Sequence, residues 1–223
     1  MTNNIILSFQ NVTYSYPGSD KIILKNINLE LEQGKKYALI GPTGEGKSTT
    51  AMLMAGLVNP TIGTVNYQGK VISNYSREEL ASSIGFILQD PFLFAGTIAD
   101  NLIYGSDLTK ESLVQKLKDK NLDHLIYSFS EGLDTIVTNN SENISLGQKQ
   151  IINFLRVILR EPKFLILDEA TANLDTITEK YLQEILNQLN SSITIVIIAH
   201  RLNTVKNVDV KFQVGGTRVE KIR

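Results

Sequence analysis

The sequence predicts an α/β domain with a mostly parallel sheet, an N-terminal antiparallel β region and an inserted α-helical region. Three observations support this. Strand-like and helix-like segments alternate in both halves of the chain, which is typical of parallel strands joined by crossover helices. Residues 5–31 hold two β-rich segments around a Pro-Gly turn. Residues 97–129 change to apolar spacings of three and four, which indicate helices.

The elements are predicted in chain order from these patterns. Strands are expected at 5–16 and 22–31 around the turn at 16–19, at 36–40, in a hairpin at 63–71, and at 84–88, 163–168 and 193–200. Helices are expected at 48–57, which Asn59-Pro60 ends, at 146–160, which Glu161-Pro162 ends, and at 176–189. Helical spacing in the insert is carried by Leu113, Leu117, Leu122, Leu125 and Ile126.

The composition bounds the class of protein. A chain of 223 residues that is 42% hydrophobic can build one sizeable core and at most two small domains. The net charge of −1 predicts neither a nucleic-acid partner nor an anionic membrane surface. The absence of cysteine excludes disulfides and thiolate metal sites. No signal peptide is recognisable, and no apolar run approaches the roughly 20 residues that span a bilayer, so we expect a domain that is soluble when isolated.

A phosphate-binding loop is the strongest local signal. Residues 41–48 fit the pattern GxxxxGK[ST] between a predicted strand and a predicted helix. Glycines let successive backbone N–H groups converge on phosphate oxygens, and the helix adds its positive N-terminal end. Lys47 can bridge the outer phosphates and the Ser48 hydroxyl can ligate Mg²⁺. The loop comprises Gly41, Pro42, Thr43, Gly44, Glu45, Gly46, Lys47 and Ser48, and Thr49 follows it.

A pair of acidic residues ends the strand predicted at 163–168. Asp168 can complete a Mg²⁺ shell, and Glu169 can orient or deprotonate an attacking water. Adjacent acids at a strand end are also common as the solvated start of a loop. The phosphate loop on another strand favours the functional interpretation.

The chain resembles the nucleotide-binding domain of ABC transporters over nearly its whole length. The motifs that carry the resemblance are Walker A at 41–48, the Q-loop at Gln89, the signature motif at Ile144, Ser145, Leu146, Gly147 and Gln148, Walker B at 164–169, the D-loop at Ala172, Asn173, Leu174 and Asp175, the switch histidine His200, and the adenine-stacking aromatic Tyr16. The runs at 89–105 and 198–209 resemble the exporter type. The resemblance implies a P-loop NTPase core: approximately residues 1–88 and 161–223 would form a RecA-like core with the β-subdomain, and approximately 90–160 a helical subdomain.

By this resemblance, two such domains bind two ATP molecules head to tail, as a homodimer or a heterodimer. Ser145, Gly147 and Gln148 would act in trans, and Asp175 would cross the dimer interface. The catalytic residues would be Glu169, His200, Lys47 and Gln89, and the ligands of Mg²⁺ would be Ser48, Gln89 and Asp168. A membrane domain would dock on the groove beside Gln89, which would place the protein at the cytoplasmic face of the membrane. We expect the chain to be an excised domain or a subunit separate from its membrane partner.

Purely structural interpretations remain open for several of these residues. Tyr16 could pack in its turn, Gln89 could be an ordinary strand-end polar residue, and His200 could be structural. His124 has no assigned role, and Lys149 and Arg156 are expected on solvated helix faces. The apolar run Pro91-Phe92-Leu93-Phe94 is either core or the exposed groove for the membrane partner.

The departure from the family pattern is Leu146, where the signature motif usually has glycine. It motivates an alternative function, a slow or degenerate regulatory half of a heterodimeric transporter. Ser145 is a good N-cap with Gln148 three residues later, as in a capping box, which is compatible with either function. A soluble ABC ATPase of DNA repair or translation is disfavoured, because basic surfaces and long coiled-coil additions do not occur here. The resemblance to exporters implies that the transported substrate is set mainly by the membrane domain.

Overall fold

The computed structural model of the chain describes residues 4–88, 90–168, 175–187, 189, 192–199 and 208–222. Its strands are, in chain order, β1 (Ile5–Ser15), β2 (Ile22–Glu32), β3 (Lys36–Ile40), β4 (Ile62–Tyr67), β5 (Lys70–Val71), β6 (Ile84–Ile87), β7 (Gly96–Thr97), β8 (Ile136–Val137), β9 (Phe164–Asp168), β10 (Thr194–Ala199), β11 (Val210–Gly215) and β12 (Arg218–Ile222). Its α-helices are α1 (Lys47–Met54), α2 (Arg77–Ser83), α3 (Ile98–Ile103), α4 (Lys110–Asp119), α5 (Leu146–Ile158) and α6 (Thr176–Asn187).

An antiparallel sheet contains the N-terminal strands in the order β2-β1-β4-β5. Alternate residues of β1 and β2 point into the core, as expected for a sheet that buries one face. The pairing of β1 shifts register between Phe9 and Val12, where Asn11 adopts a left-handed backbone with φ 51°. Gly63 lies against this bulge, since a Cβ atom there would be 2.4 Å from the Asn11 carbonyl oxygen.

The second sheet has the order β12-β11-β3-β10-β9-β6. Strands β11, β3, β10 and β9 pair in parallel, and β12 returns antiparallel to β11. The central strands are continuous apolar runs with four buried residues in a row in β9, as expected where both faces of a sheet are covered. Parallel pairing brings the carboxyl ends of β3, β10 and β9 to one edge.

The chain divides into two compact units. The first comprises Met1–Phe86, Pro162–Glu169 and Ser191–Arg223 and contains both of these sheets except the end of β6. The second comprises Ile87–Glu161 and Ala170–Asn190 and contains helices α3 to α6. Within it, α5 contacts α3 and α6 and buries Ile151, Phe154 and Leu155. The subdomain boundaries expected from the sequence stay a prediction.

The predicted fold class is confirmed, with local differences. Helix α1 ends at Met54, earlier than expected, because Gly56 takes a left-handed backbone with φ 68°. The segment Asp123–Ser128, expected to continue the helical pattern, is a 3₁₀ helix. Helix α2 and the β11–β12 hairpin were not predicted. Among the residues described above, no helix is long and apolar enough to cross a membrane.

Candidate functional site

The phosphate loop leads from the carboxyl end of β3 into the first turn of α1, as the motif requires. Its first glycine lies directly against β11, since a Cβ atom at Gly41 would be 2.0 Å from the Val214 carbonyl oxygen. Gly44 and Gly46 have φ angles of 81° and 100°, which glycine adopts without steric cost. Only a glycine-rich sequence can therefore follow this path.

Lys47 is held inside the loop that it belongs to. Its Nζ donates hydrogen bonds to the carbonyl oxygens of Gly41 and Pro42, both at 2.8 Å, and its side chain is only 4% exposed. The ammonium therefore lies where the loop curls around it. Ser48, next in sequence, is exposed at the N-terminal end of α1, so its hydroxyl is accessible to a ligand.

Asp168 and the phosphate loop lie at the same edge of the sheet. In the parallel register, Ile40 at the end of β3 pairs with Ala199, and Ile198 pairs with Asp168. One strand, β10, separates them, so their backbones are about 10 Å apart. This edge combines a carboxylate and a hydroxyl, whose oxygens suit Mg²⁺, with a cluster of backbone N–H groups, which suit phosphates.

Tyr16 is connected to the phosphate loop. Its hydroxyl lies 2.8 Å from Thr49 Oγ1 in a hydrogen bond, and its ring meets Tyr14 edge-on with centroids 5.2 Å apart. The ring remains 40% exposed. A cavity of about 500 Å³ opens beside it, lined by Tyr14, Ser15, Tyr16, Pro17, Ser19, Val58, Asn59 and Thr61. The turn at Tyr16 therefore offers an aromatic surface next to the loop.

The start of α5 has the capping box that the sequence predicts. The Ser145 hydroxyl accepts from the Gln148 N–H at 3.2 Å, and Gln148 Oε1 accepts from the Ser145 N–H at 3.0 Å. Gln148 Nε2 also donates to the Ser128 carbonyl at 2.9 Å. Leu146 points outward and is 51% exposed, so it does not disturb the helix start.

Asp175 caps α6 and lies beside Gly147. Its carboxylate accepts from the N–H groups of Ile177 and Thr178 and, at 2.7 Å, from the Thr178 hydroxyl. These hydrogen bonds, the one from the Thr178 N–H first, lower the pKa of the Asp175 carboxyl. A Cβ atom at Gly147 would be 2.4 Å from Thr178 Oγ1, so the α5 start and the α6 cap pack without spare room.

Arg156 is not on a solvated helix face, contrary to the expectation from the sequence. Its guanidinium donates to the carbonyl oxygens of Asn101 and Phe92 and to Asn101 Oδ1, at 2.7, 3.0 and 2.9 Å. Asn101 is fully buried and in turn bonds both backbone groups of Phe94. Burial, followed by the nearby charge of Arg160, lowers the pKa of Arg156. The reason for the difference is that two backbone carbonyl oxygens and one side-chain oxygen, from Asn101 and Phe92, lie within reach of the guanidinium.

The apolar run after Gln89 is divided between core and surface. Leu93 is buried at 4% exposure, whereas Phe92 is 71% exposed and the nearby Leu88 is 50% exposed. The Arg156–Asn101 contacts fix the backbone of this loop. The exposed Phe92 side chain therefore extends from a backbone that these hydrogen bonds hold.

The structure brings the predicted residues into two groups. Tyr16, the loop at 41–48, Thr49 and Asp168 belong to the first unit, and Ser145, Gly147, Gln148 and Asp175 to the second. Gln89, Glu169, His200 and residues 172–174 lie outside the described residues. His124, which has no assigned role, lies 3.2 Å from a carboxylate oxygen of Glu184.

The hairpin turn at Gly216-Thr217 lies next to the phosphate loop, a contact that was not predicted from the sequence. Glu45 Oε2 accepts a hydrogen bond from the Gly216 N–H at 2.9 Å. The run Gly215-Gly216-Thr217 between two alternating segments is a recognisable hairpin signal. That signal predicts the turn, but it does not predict which loop the turn contacts.

A phosphate loop at the carboxyl edge of a mainly parallel sheet defines a nucleotide-binding α/β protein of the P-loop class. Comparison with known proteins gives the particular family. A sequence model described as "ABC transporter" matches residues 24–172. The chain belongs to the ABC transporter family, which confirms the family predicted from its motifs.

The similar proteins are longer than this chain. It is 39% identical over 217 residues to "Uncharacterized ABC transporter ATP-binding protein YfiC" of Bacillus subtilis, covering 96% of this chain and 36% of that protein. It is 37% identical over 204 residues to "Multidrug resistance-like ATP-binding protein MdlB" of Buchnera aphidicola, covering 92% and 35%. The solved "Structure of a bacterial Atm1-family ABC exporter with ATP bound" matches with a TM-score of 0.86 at 31% identity, over 98% of this chain and 38% of that one. The chain thus spans about a third of the length of these relatives.

Proposed function

We propose that the chain is the ATP-binding and ATP-hydrolysing motor domain of an ABC exporter. The observation that carries the proposal is the phosphate loop, with the Lys47 ammonium inside it and Asp168 at the same sheet edge. Family membership and the similarity to an exporter solved with ATP support the nucleotide. The protein would act at the cytoplasmic face of a membrane, without a nucleic-acid partner.

In this proposal the loop N–H groups and Lys47 hold the β- and γ-phosphates, and Tyr16 stacks on adenine. The oxygen ligands present fit Mg²⁺, because Ser48 is exposed at the helix start and Asp168 ends a strand at the same edge. Gln89 would complete this set. Bound Mg²⁺ would neutralise charge on the phosphates. Glu169 orients and deprotonates the attacking water, and His200 contacts the γ-phosphate.

The site is completed by a second nucleotide-binding domain. A lone phosphate loop leaves one side of the nucleotide open to water, and a second helix N-terminus would close it. Ser145, Gly147 and Gln148 of one domain would face the phosphate loop of the other, with Asp175 at the interface. The exposed and well-capped start of α5 supports this role. ATP would favour the closed dimer, and hydrolysis would reopen it.

The membrane domain would dock on the apolar surface beside Gln89. Phe92 and Leu88 are both exposed apolar side chains, and exposed apolar patches mark interfaces. The hydrogen bonds of Arg156 and Asn101 hold the loop in place. A fixed backbone transmits force from a docked segment better than a loose one.

Leu146 motivates a second candidate, a slow regulatory half of a heterodimeric transporter. A side chain at this position of the signature motif would face the phosphate loop of the partner domain. The intact capping box favours a working signature. In a heterodimer, a defect from Leu146 would affect only one of the two sites.

Turnover measured against protein concentration tests the proposal. We expect Mg-ATP hydrolysis that rises with the square of protein concentration, and an ATP-dependent dimer of Glu169→Gln by light scattering. No hydrolysis at high concentration together with a monomeric Glu169→Gln variant contradicts the motor domain. Leu146→Gly separates the two candidates. A large gain in turnover over wild type supports the regulatory half. Equal turnover of wild type and Leu146→Gly, with the quadratic concentration dependence in both, excludes it.

A further inference from the structure

Glu45 places a carboxylate in the middle of the phosphate loop. Its neighbours Gly44 and Gly46 both have left-handed backbones, with φ angles of 81° and 100°. A negative side chain in a loop suited to anionic phosphates is unfavourable if it faces the ligand. The direction of this side chain therefore decides whether it hinders or supports binding.

The Glu45 carboxylate is directed at the β11–β12 turn. Its Oε2 accepts a hydrogen bond at 2.9 Å from the N–H of Gly216, which lies 171 residues further along the chain. The side chain is half-buried. A carboxylate oxygen or an amide oxygen at this position can accept this hydrogen bond.

The turn that Glu45 contacts is itself anchored. Gly216 and Thr217 both have positive φ angles, 55° and 66°, as in the tight turns that suit hairpins. A β-branched residue such as threonine rarely adopts this backbone, so Thr217 is strained. Its carbonyl oxygen accepts from the Lys25 N–H on β2 at 2.9 Å. The turn thus bonds β2 through Thr217 and the phosphate loop through Gly216.

The same two strands, β11 and β2, pack against the two ends of the phosphate loop. Gly41 packs on the Val214 carbonyl of β11, and a Cβ atom at Gly46 would be 3.1 Å from the Ile23 side chain of β2. Glu45 supplies the polar contact between these points. The loop is therefore fixed at its start, middle and end by one hairpin and one strand.

We propose that Glu45 is a positioning residue for nucleotide binding, which it supports by holding the phosphate loop against the β11–β12 turn. This rests on the proposed function, because it assumes that the loop binds ATP. A loop that is ordered before the ligand arrives loses less conformational freedom on binding. The contribution of Glu45 comes from its reach and its acceptor oxygen, and its charge is incidental.

Three substitutions of Glu45 separate these properties. Glu45→Gln keeps length and an acceptor oxygen but removes the charge. Glu45→Asp keeps the charge but is one methylene too short to reach Gly216. Glu45→Ala removes both the charge and the acceptor oxygen. Glu30→Ala removes an exposed carboxylate of β2 and is the matched control. Mg-ATP titrations by calorimetry on the full 223-residue chain give the affinities.

We expect Glu45→Ala and Glu45→Asp to weaken Mg-ATP binding by about 3- to 10-fold, the usual range for one hydrogen bond. Glu45→Gln and Glu30→Ala should remain within about twofold of wild type. Hydrogen exchange of the Gly44–Lys47 amides without nucleotide should be faster in Glu45→Asp and unchanged in Glu45→Gln. The Gln and Asp variants make the test independent of whether the alanine variant folds.

Equal affinities of wild type and Glu45→Asp overturn the inference, as does a Glu45→Gln variant that is as weak as Glu45→Ala. Both results leave the proposed function intact, because wild type still binds Mg-ATP. If wild type does not bind Mg-ATP at millimolar concentration, the proposed function fails and this inference fails with it.

Discussion

Gly41 and Gly44 both lie at positive φ but have different surroundings. Both have positive φ angles, 150° and 81°, yet a Cβ atom at Gly41 would be 2.0 Å from the Val214 carbonyl oxygen, and one at Gly44 would meet nothing within 4 Å. We expect Gly44→Ala to cost about 1 kcal/mol of unfolding free energy from backbone strain alone. Gly41→Ala should cost about 2 to 4 kcal/mol, because β11 must move. Urea denaturation of the two variants measures the difference.

Similar losses in the two alanine variants would contradict this expectation, since strain alone would then account for both. The pair is well matched because both changes lie in one loop and add one methyl group. With similar losses, the close approach of β11 would add no measurable cost to a methyl group at Gly41.

Arg156 was expected on a solvated helix face but holds a cluster of hydrogen bonds together. Its three hydrogen bonds reach the Asn101 side chain and the backbones of Asn101 and Phe92. Arg156→Ala removes three hydrogen bonds from a part-buried cluster around Asn101, so we expect a loss of about 2 to 3 kcal/mol. Lys149→Ala on the same helix should stay within about 0.5 kcal/mol of wild type. Chemical denaturation checks both values.

Hydrogen exchange adds a local measurement to the Arg156 prediction. The Phe94 N–H bonds to Asn101 Oδ1 at 3.1 Å, and Arg156 holds that same oxygen. Exchange at Phe94 should therefore become faster in Arg156→Ala and remain slow in Lys149→Ala. Unchanged protection at Phe94 would show that Asn101 holds the loop without the arginine.

At the scale of elements, helices α5 and α6 are coupled where each begins. A Cβ atom at Gly147 would be 2.4 Å from the hydroxyl of Thr178, which is 6% exposed and bonds Asp175. Helix propensity alone would make Gly147→Ala stabilising by up to about 1 kcal/mol. Because of the clash, we expect a loss of about 1 to 3 kcal/mol instead.

A double-mutant cycle tests whether this clash is the cause. Thr178→Ala removes the obstructing hydroxyl and alone should cost about 1 kcal/mol, from its hydrogen bond to Asp175. Gly147→Ala combined with Thr178→Ala should then lose about 1 kcal/mol less than the sum of the single losses. If the two losses measured by urea denaturation are strictly additive, the loss in Gly147→Ala has a cause other than the clash with the Thr178 hydroxyl.

The cap of α6 gives a pH dependence with a defined sign. The folded pKa of Asp175 is lowered, so its ionised carboxylate stabilises the fold above the unfolded pKa of about 3.9, and this stabilisation is lost as the pH falls through the lower folded pKa. Asn is an equally good N-cap that does not titrate. The unfolding temperature of wild type minus that of Asp175→Asn should be constant from about pH 7 to 5 and fall below about pH 4, because only wild type loses an ionised cap there. A difference that stays constant to pH 3 would contradict the role of ionised Asp175.

At the scale of the whole molecule, the elements that a pattern specifies locally were predictable. The continuous apolar run of β9 and the GxxxxGK[ST] loop each carry their own signal, so the sheet and the position of Lys47 followed from the sequence. The roles of Arg156 and Glu45 did not follow, because their partners Asn101 and Gly216 are 55 and 171 residues distant and no periodicity encodes such contacts. The sequence also could not predict the 3₁₀ form of Asp123–Ser128, since helical spacing over so few residues fits either helix type.

Nucleotide binding should stabilise the unit that contains the phosphate loop. A ligand that binds only the folded state at 100 times its Kd adds about 2.7 kcal/mol, which in a chain of this size raises the unfolding temperature by about 5 to 10 °C. We therefore expect Mg-ATP to produce such a shift in wild type and none in Lys47→Ala, because the Lys47 ammonium lies inside the loop. Lys36→Ala, an exposed lysine at the opposite end of β3, should keep the full shift. Scanning fluorimetry measures all three, and an undiminished shift in Lys47→Ala would mean that the nucleotide binds outside this loop.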